Sequence, residues 1–302
     1  MNTRSQTGDS AAGTRPSSAL LALAVSTLAM SIVPAAQAEI TAYAVSRTIS
    51  DTQTSNAQPT TPDFWGLVAL AITDVPNEIV SASVSFTRPP PISYDLAEAT
   101  PTLHQYYSPF YTDETPFLAD YPATTYTLTA DRGTGPETGD VFIPEDLYCE
   151  AIPYFTGDTY DRLQNYDVSQ SFTLNFNGFT PNPGTNVASI HLSVVEDVTP
   201  SPVLSIALNP SDTSFVIPAG TLAAGTSYSI GLSYINVLET PNAGFGGNAT
   251  SGAEFWRSTT AYFTTLPAVQ PCCRGDFNGD GQFNALDIQD IVDALLAGET
   301  CP

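Results

Sequence analysis

Residues 222–235 read LAAGTSYSIGLSYI, and this stretch indicates the fold class of the chain. Gly225 suits a tight turn, because glycine adopts backbone angles that other residues avoid. From Tyr228 onward small polar and apolar residues alternate, which is the pattern of a strand with one buried face. Tyr228 stands where the strand begins, so its hydroxyl can hydrogen-bond back to the chain just upstream. The stretch therefore predicts a turn that leads into a buried strand.

The same alternation recurs throughout residues 39–267. Valine, threonine, tyrosine and phenylalanine favour strands, proline and glycine separate the runs, and the 25 prolines disfavour long helices. We therefore predict an all-β body without amphipathic helices. The predicted strands are 39–46, 65–73, 79–87, 124–130, 171–176, 188–195, 203–208, 227–235 and 258–266.

Residues 168–267 resemble a fibronectin type III or immunoglobulin-like β-sandwich. Phe172, Leu174 and Phe176 supply an apolar stripe, and the turn before Tyr228 is similar to the tyrosine corner of such domains. The resemblance implies a spacer or binding module and no particular chemistry. We expect residues 39–167 to form a second β domain, in which the proline-rich and aromatic segment 88–123 is a long loop over a sheet.

The charge of the chain restricts its partners. Thirty-one acidic residues stand against eight basic ones, all arginine, for a net charge of -23. This charge repels phosphate groups, so we expect no binding to nucleic acid or to anionic lipid. Cations, neutral sugars and other proteins remain as partners.

Residues 1–38 have the features of a secretory signal peptide. A polar start with Arg4 and Arg15 precedes the apolar run 19–33, and residues 36–38 form a small-x-small cleavage pattern. The apolar run has 15 residues, fewer than the roughly 20 that span a bilayer. We therefore expect a secreted protein, extracellular or at the cell surface, with no membrane span after signal cleavage.

Four cysteines are consistent with disulfides in an exported protein. They are Cys149, Cys272, Cys273 and Cys301. A bond between the adjacent pair is strained. We therefore expect Cys301 to bond to one member of the pair and Cys149 to the other.

Residues 276–287 read DFNGDGQFNALD and have the oxygen-ligand spacing of an EF-hand-like calcium loop. Gly281 stands where such a loop turns sharply, and residues 286–298 have the apolar spacing of a helix that ends near Gly298. Carboxylate and amide oxygens suit a hard divalent cation, so we predict that this loop binds Ca²⁺. The predicted ligands are Asp276, Asn278, Asp280, Gln282 (through its backbone carbonyl), Asn284 and Asp287.

Residues 272–302 resemble a single dockerin type I repeat, and more narrowly the cysteine-flanked GC-type dockerins. The resemblance rests on the loop, on Asp287 as the last ligand and on the flanking cysteines. It implies a cohesin-like or cell-envelope partner, although a full dockerin has two such repeats. The fold class expected for the whole chain is all-β, with two tandem β-sandwich domains at 39–167 and 168–267, a linker at 268–271, and the short calcium loop plus helix at 272–302.

Catalytic motifs are scarce. HExxH and GxSxG do not occur. We expect His191 to face solvent from its strand and His104 to pack within the loop. Spacing in the sequence does not identify a glycosidase pair among the carboxylates Glu145, Asp146, Glu150, Asp158 and Asp161.

Six aromatic residues lie within residues 106–121. Packing against a sheet is favoured over an exposed platform that stacks on sugar rings, because aromatic side chains are chiefly core residues. The six are Tyr106, Tyr107, Phe110, Tyr111, Phe117 and Tyr121.

Together these features predict a secreted, non-enzymatic extracellular or cell-surface protein that is attached or assembled through its calcium-binding tail. The alternatives are a carbohydrate-active hydrolase and a carbohydrate-binding module, each acting on polysaccharide and carrying the same tail.

Overall fold

The computed structural model describes residues 40–88, 91–198, 202–241, 244–247, 249–267 and 285–297. Within these ranges the chain is all-β, as the sequence predicts, and it also contains three short helices, two of which were not predicted. None of those helices has the length and hydropathy needed to cross a membrane. The helices are α1 (Glu114–Asp120), α2 (Thr159–Leu163) and α3 (Ala285–Ala297). The strands are β1 (Ile40–Thr52), β2 (Phe64–Thr73), β3 (Ser81–Phe86), β4 (Ile92–Thr100), β5 (Leu103–Tyr107), β6 (Thr124–Asp131), β7 (Pro136–Ile143), β8 (Phe172–Asn175), β9 (Val187–Glu196), β10 (Pro202–Leu208), β11 (Ser214–Ile217), β12 (Ser227–Thr240) and β13 (Thr250–Thr264).

All nine predicted runs fall on strands, but the prediction for segment 88–123 was wrong. That segment contains β4, β5 and α1 rather than a long loop. β4 pairs with β3 and β5, and β5 also pairs with β2. The sequence ISYDLAEAT of β4 buries only Leu96, so its alternation of apolar and polar residues is too weak to indicate a strand.

Eleven of the described strands form one sheet, in the order β10-β9-β12-β13-β1-β2-β5-β4-β3-β6-β7, and β8 pairs with β11 in a second sheet. β1 and β13 run parallel, and the other pairs are antiparallel. β12 and β13 are the longest strands, with 14 and 15 residues. This hairpin therefore extends through most of the protein body.

Two apolar cores lie on one side of the hairpin. The first is formed mainly by β1–β4, β6 and β7, and the second mainly by β8, β9, β12 and the region around α2. β13 contributes Ala253 and Phe255 to the first core and Ala261 and Phe263 to the second. β13 is therefore shared by the two cores, and the second core also contains Cys149, Phe155, Leu163 and Tyr166, which precede residue 168.

The second core confirms the sandwich features predicted from the sequence. Phe172, Leu174 and Phe176 are all buried. The Ala223 N–H donates a hydrogen bond of 2.8 Å to the hydroxyl oxygen of Tyr228, as expected for a tyrosine that folds back over the preceding turn.

An irregular segment, residues 145–155, crosses the sheet where the two cores meet; we call it the strap. Its backbone carbonyls need donors, because within the strap only Phe155 pairs with another segment, through an isolated bridge to Phe176. Buried side chains of the sheet supply them. The bonds run from Arg47 Nη1 to Glu145 O (3.1 Å), from Asn236 Nδ2 to Leu147 O (2.8 Å), from Thr259 Oγ1 to Pro153 O (2.6 Å) and from Gln53 Nε2 to Phe155 O (2.9 Å).

Gly139 on β7 provides a test of packing in the first core. A Cβ atom at Gly139 would lie 2.5 Å from Cζ of Tyr43 and 2.8 Å from a ring carbon of Phe245. Gly139→Ala should therefore lower the free energy of unfolding by about 1–3 kcal/mol, because the rings must shift. Urea unfolding measures this. Gly66→Ala is the control, since its nearest heavy atoms would be 3.8 Å away; equal losses in both variants would contradict the packing argument.

Candidate functional site

One of the six predicted calcium ligands lies within the described residues. Asp287 is in the first turn of α3 and is fully buried. A carboxylate is favourable at this position, because the helix N-terminus carries partial positive charge. The helix predicted after the loop is confirmed. Asp276, Asn278, Asp280, Gln282 and Asn284 lie outside the described residues, so their role as Ca²⁺ ligands stays a prediction.

α3 exposes an apolar stripe. Ile288, Val292 and Leu296 are 55%, 42% and 82% exposed. They are spaced four residues apart, so they lie on the same side of the helix. Gln289 Nε2 donates to Asp293 Oδ1 at 2.9 Å on the neighbouring polar side. The stripe is thus a small apolar surface beside the buried carboxylate of Asp287.

The aromatic residues of 106–121 pack mostly inside the protein. Phe117 and Tyr121 are almost fully buried, the hydroxyls of Tyr106 and Tyr121 lie 2.7 Å apart, and the Tyr106 ring stacks on Tyr94 at 4.5 Å. Of the six, Phe110 is exposed, and its ring packs on Phe64 at 4.6 Å. The interpretation as core packing is confirmed, and these rings form no exposed platform for sugar stacking.

His191 does not face solvent, so that prediction was wrong. It lies on the side of the sheet opposite the second core, but it is buried there, with Nε2 3.1 Å from Ser205 Oγ and its ring 6.3 Å from that of Trp256. Burial lowers the pKa of His191. His104 is also buried, on β5 rather than in a loop, and burial lowers its pKa as well.

Glu254 is a buried carboxyl group on the same side of the sheet as His191. Ser46 Oγ donates to its Oε2 at 2.5 Å and Trp256 Nε1 donates at 2.9 Å. Burial raises the pKa of Glu254, although the two hydrogen bonds oppose this shift. Both bonds join neighbouring strands or residues of the sheet, so the group has a structural role in the described part of the chain.

In the strap and the sheet beneath it, several buried polar atoms have no hydrogen-bond partner among the described residues. They include both carboxylate oxygens of Asp51, Nε of Arg47 and of Arg257, and the Tyr148 hydroxyl. Asp51 is fully buried. Burial raises its pKa to about 6, a shift that Arg257 opposes and Asp63 reinforces. The junction between the cores is therefore a place where protonation is coupled to stability.

Cys149 is a free thiol in the structure, so the structure does not support the predicted disulfide from Cys149 to the Cys272/Cys273 pair. The strap places Cys149 within the second core, where its Sγ lies 3.3 Å from the Ala151 carbonyl oxygen. Burial raises the pKa of the thiol to about 12, which suppresses its reactivity. Cys272, Cys273 and Cys301 lie outside the described residues.

Two clefts contain some of the carboxylates named above. One of about 800 Å³ lies between the strap and residues 178–183 and includes Glu150. Another of about 460 Å³ includes Asp158 and Asp161, and Asp161 Oδ2 accepts a hydrogen bond of 2.5 Å from Asn56. Within the described ranges, no group of three or more His, Cys, Asp and Glu side chains could hold a metal ion.

No protein-family model matches the sequence, and no curated protein matches it. Among solved structures, a biofilm associated protein (BSP domain) has a TM-score of 0.20 and 12% identity; the match covers 74% of this chain and 29% of that one. The FN1–FN3 domains of chicken CNTN1 have a TM-score of 0.24 and 10% identity, and the match covers 73% of this chain and 67% of that one. A chimeric titin Z1Z2-Z1Z2 tandem, functionalised with a GRGDS exogenous peptide from fibronectin, has a TM-score of 0.22 and 13% identity. The match covers 76% of this chain and 97% of that one. These scores are too low to assign a function, and the all-β assignment rests on the strands themselves.

Asp51→Asn should change how the free energy of unfolding depends on pH. The pKa of Asp51 is about 6 in the folded protein and about 4 in an unfolded chain, so the folded state binds the proton more tightly. The stability of the wild type relative to the variant is therefore greatest below about pH 4 and falls as the pH rises through about 6. Urea unfolding at a series of pH values measures this difference.

Asp63→Asn is the matched comparison. The Asp63 carboxylate raises the pKa of Asp51, so its neutralisation should move the fall in stability to lower pH. A difference between wild type and Asp51→Asn that stays constant from pH 4 to 8 would show that Asp51 does not titrate in this way.

Proposed function

We propose that this is a secreted, non-enzymatic extracellular or cell-surface protein that is attached or assembled through its calcium-binding, dockerin-like tail. The observation that carries the proposal is the exposed stripe of Ile288, Val292 and Leu296 on α3. An amphipathic helix with exposed apolar side chains at this spacing is a common recognition element for a partner groove. Its position directly after the predicted calcium loop links partner binding to the ion.

Calcium has a physical role in this proposal. A segment of about 30 residues is too short to form an adequate core alone, so its folding depends on added cross-links such as a metal ion. The ligand spacing of 276–287 suits Ca²⁺. Because Asp287 belongs to both the loop and α3, ion binding would fix the start of the helix and hence the direction of its apolar stripe.

The β body supports a structural role. β12 and β13 run beside both cores, and a strand of 14 residues extends over roughly 45 Å. Because the two cores share these strands, a force or load applied at one core is transmitted through the sheet to the other. The proposal is therefore a stiff spacer whose tail joins a cohesin-like or cell-envelope partner.

Calorimetric titration of the oxidised mature protein with Ca²⁺ tests the ion site. We expect saturable heat, together with slower amide exchange in residues 276–297, because the ion orders the loop and the first turn of α3. The double variant Asp276→Ala/Asp280→Ala should lose both effects. Asp293→Asn, on the exposed side of α3, should retain them. Absence of heat and of protection in the wild type would remove the calcium part of the proposal.

Leu296→Asp tests the partner surface. Leu296 is 82% exposed, so a carboxylate there should leave calcium binding intact but abolish apolar docking. The measurement is the capture of secreted and envelope proteins by the full mature chain, with and without calcium. The wild type is compared with Leu296→Asp and with the control Asp293→Asn. Equal capture by wild type and Leu296→Asp, or capture that is the same with and without calcium, would rule out this stripe as the docking surface.

A further inference from the structure

β10 is an open edge of the large sheet. It stands at the end of the strand order and pairs only with β9 among the described strands. Its side chains alternate between exposed and half-buried positions, and Ser205 and Ala207 are exposed. The unpaired N–H and C=O groups along such an edge form a template for another strand.

Most of this edge lacks the features that usually prevent strand pairing. No charged residue occurs between Asp197 and Asp212, and the irregular register is confined to the start of the strand, between Pro202 and Leu204. By contrast, β7 at the other end of the sheet carries Glu137 and Asp140. Charged side chains, prolines and bulges are the devices by which edges avoid association. On β10 the proline and the bulge lie at Pro202–Leu204, so the rest of the strand is unprotected.

The sequence of β10 is suited to pairing with itself. Pro202 and Pro210 lie four residues on either side of Ile206, and prolines limit the length of a strand pair because they lack an N–H. An antiparallel pair centred on Ile206 places Leu204 opposite Leu208 of the second copy. Leu204, Ile206 and Leu208 are half-buried, and Leu204 and Leu208 pack against the second core.

We propose that β10 pairs antiparallel with β10 of a second copy of this chain, around a two-fold axis at Ile206, and joins the two large sheets into one. Self-pairing covers the apolar row of both copies and extends the second core across the axis. It requires no complementary partner sequence, since a two-fold interface uses the same surface twice. The inference does not depend on the calcium tail.

Electrostatics give this dimer a particular salt dependence. Each chain carries a net charge of -23, so two copies repel each other at long range. The uncharged strand avoids close charge pairs at the axis, and salt screens the rest, with a Debye length of about 10 Å at 0.1 M and about 3 Å at 1 M. Dimerisation should therefore strengthen as the salt concentration rises.

Sedimentation equilibrium of the mature chain over a wide concentration range, at low and high salt, measures the dissociation constant. We expect a monomer–dimer equilibrium that shifts towards dimer at high salt. Ile206→Asp should weaken the dimer at least about tenfold, because two carboxylates would face each other in a desolvated contact. Ala207→Asp, at an exposed position, should also weaken it without loss of core packing.

Val216→Asp is the control, because Val216 is 50% exposed on β11 in the other sheet and receives the same charge. It should leave the dissociation constant within about twofold of the wild type. A monomer at every concentration and salt level would overturn the proposal. So would a dimer that Ile206→Asp and Ala207→Asp weaken no more than Val216→Asp, because association would then use another surface.

Discussion

The parallel pairing of β1 with β13 holds the body of the molecule in a single sheet. β1 is the first described strand and β13 the last, and they pair from Ala42–Thr250 to Thr52–Thr260. The hydrogen bond between Ser46 and Glu254 within this pair joins residues 208 positions apart. Contacts of such sequence separation form late, because the intervening chain must first lose its freedom. The first core contains residues of both β1 and β13, so it is complete only after these two strands have paired.

This constraint explains which parts of the fold could be predicted from the sequence. The alternating parts of β12 and β13, residues 227–235 and 258–266, were recognised as strands, although β12 continues to Thr240 and β13 begins at Thr250. The turn hydrogen bond at Tyr228 was also predictable, because it is local. The parallel register of β1 and β13 was not predictable, since the residue pattern of neither strand indicates which strand it pairs with. β4 escaped prediction because Leu96 is its single buried residue.

Some features of the candidate site could likewise be predicted from the sequence, and others could not. The calcium loop stays a prediction, and it can be proposed from the sequence alone because its expected ligands are close together and their spacing would be fixed by the geometry of one ion. The burial of His191 is not predictable, because alternation tells which side of a strand is apolar but not whether the other side is covered. Cys149 shows a related limit. An even number of cysteines in a chain with a predicted signal peptide suggested pairing, but the position of this thiol within the second core is set by the strap, which has no sequence pattern of its own.

The position of the strap is nevertheless reflected in the sequence of a strand beneath it. On the core side of β1 the residues read Val45, Arg47, Ile49 and Asp51, so polar groups interrupt an otherwise apolar series. A buried arginine or aspartate destabilises a plain apolar core, but an irregular segment above the sheet presents carbonyls that need donors. Arg47 meets this need at Glu145 and also at the carbonyl of Tyr121, at 2.7 Å. A polar residue on the apolar side of a long strand therefore indicates that non-strand backbone crosses the sheet there. In this molecule that crossing lies between the two cores, where the strap replaces part of the apolar packing with hydrogen bonds.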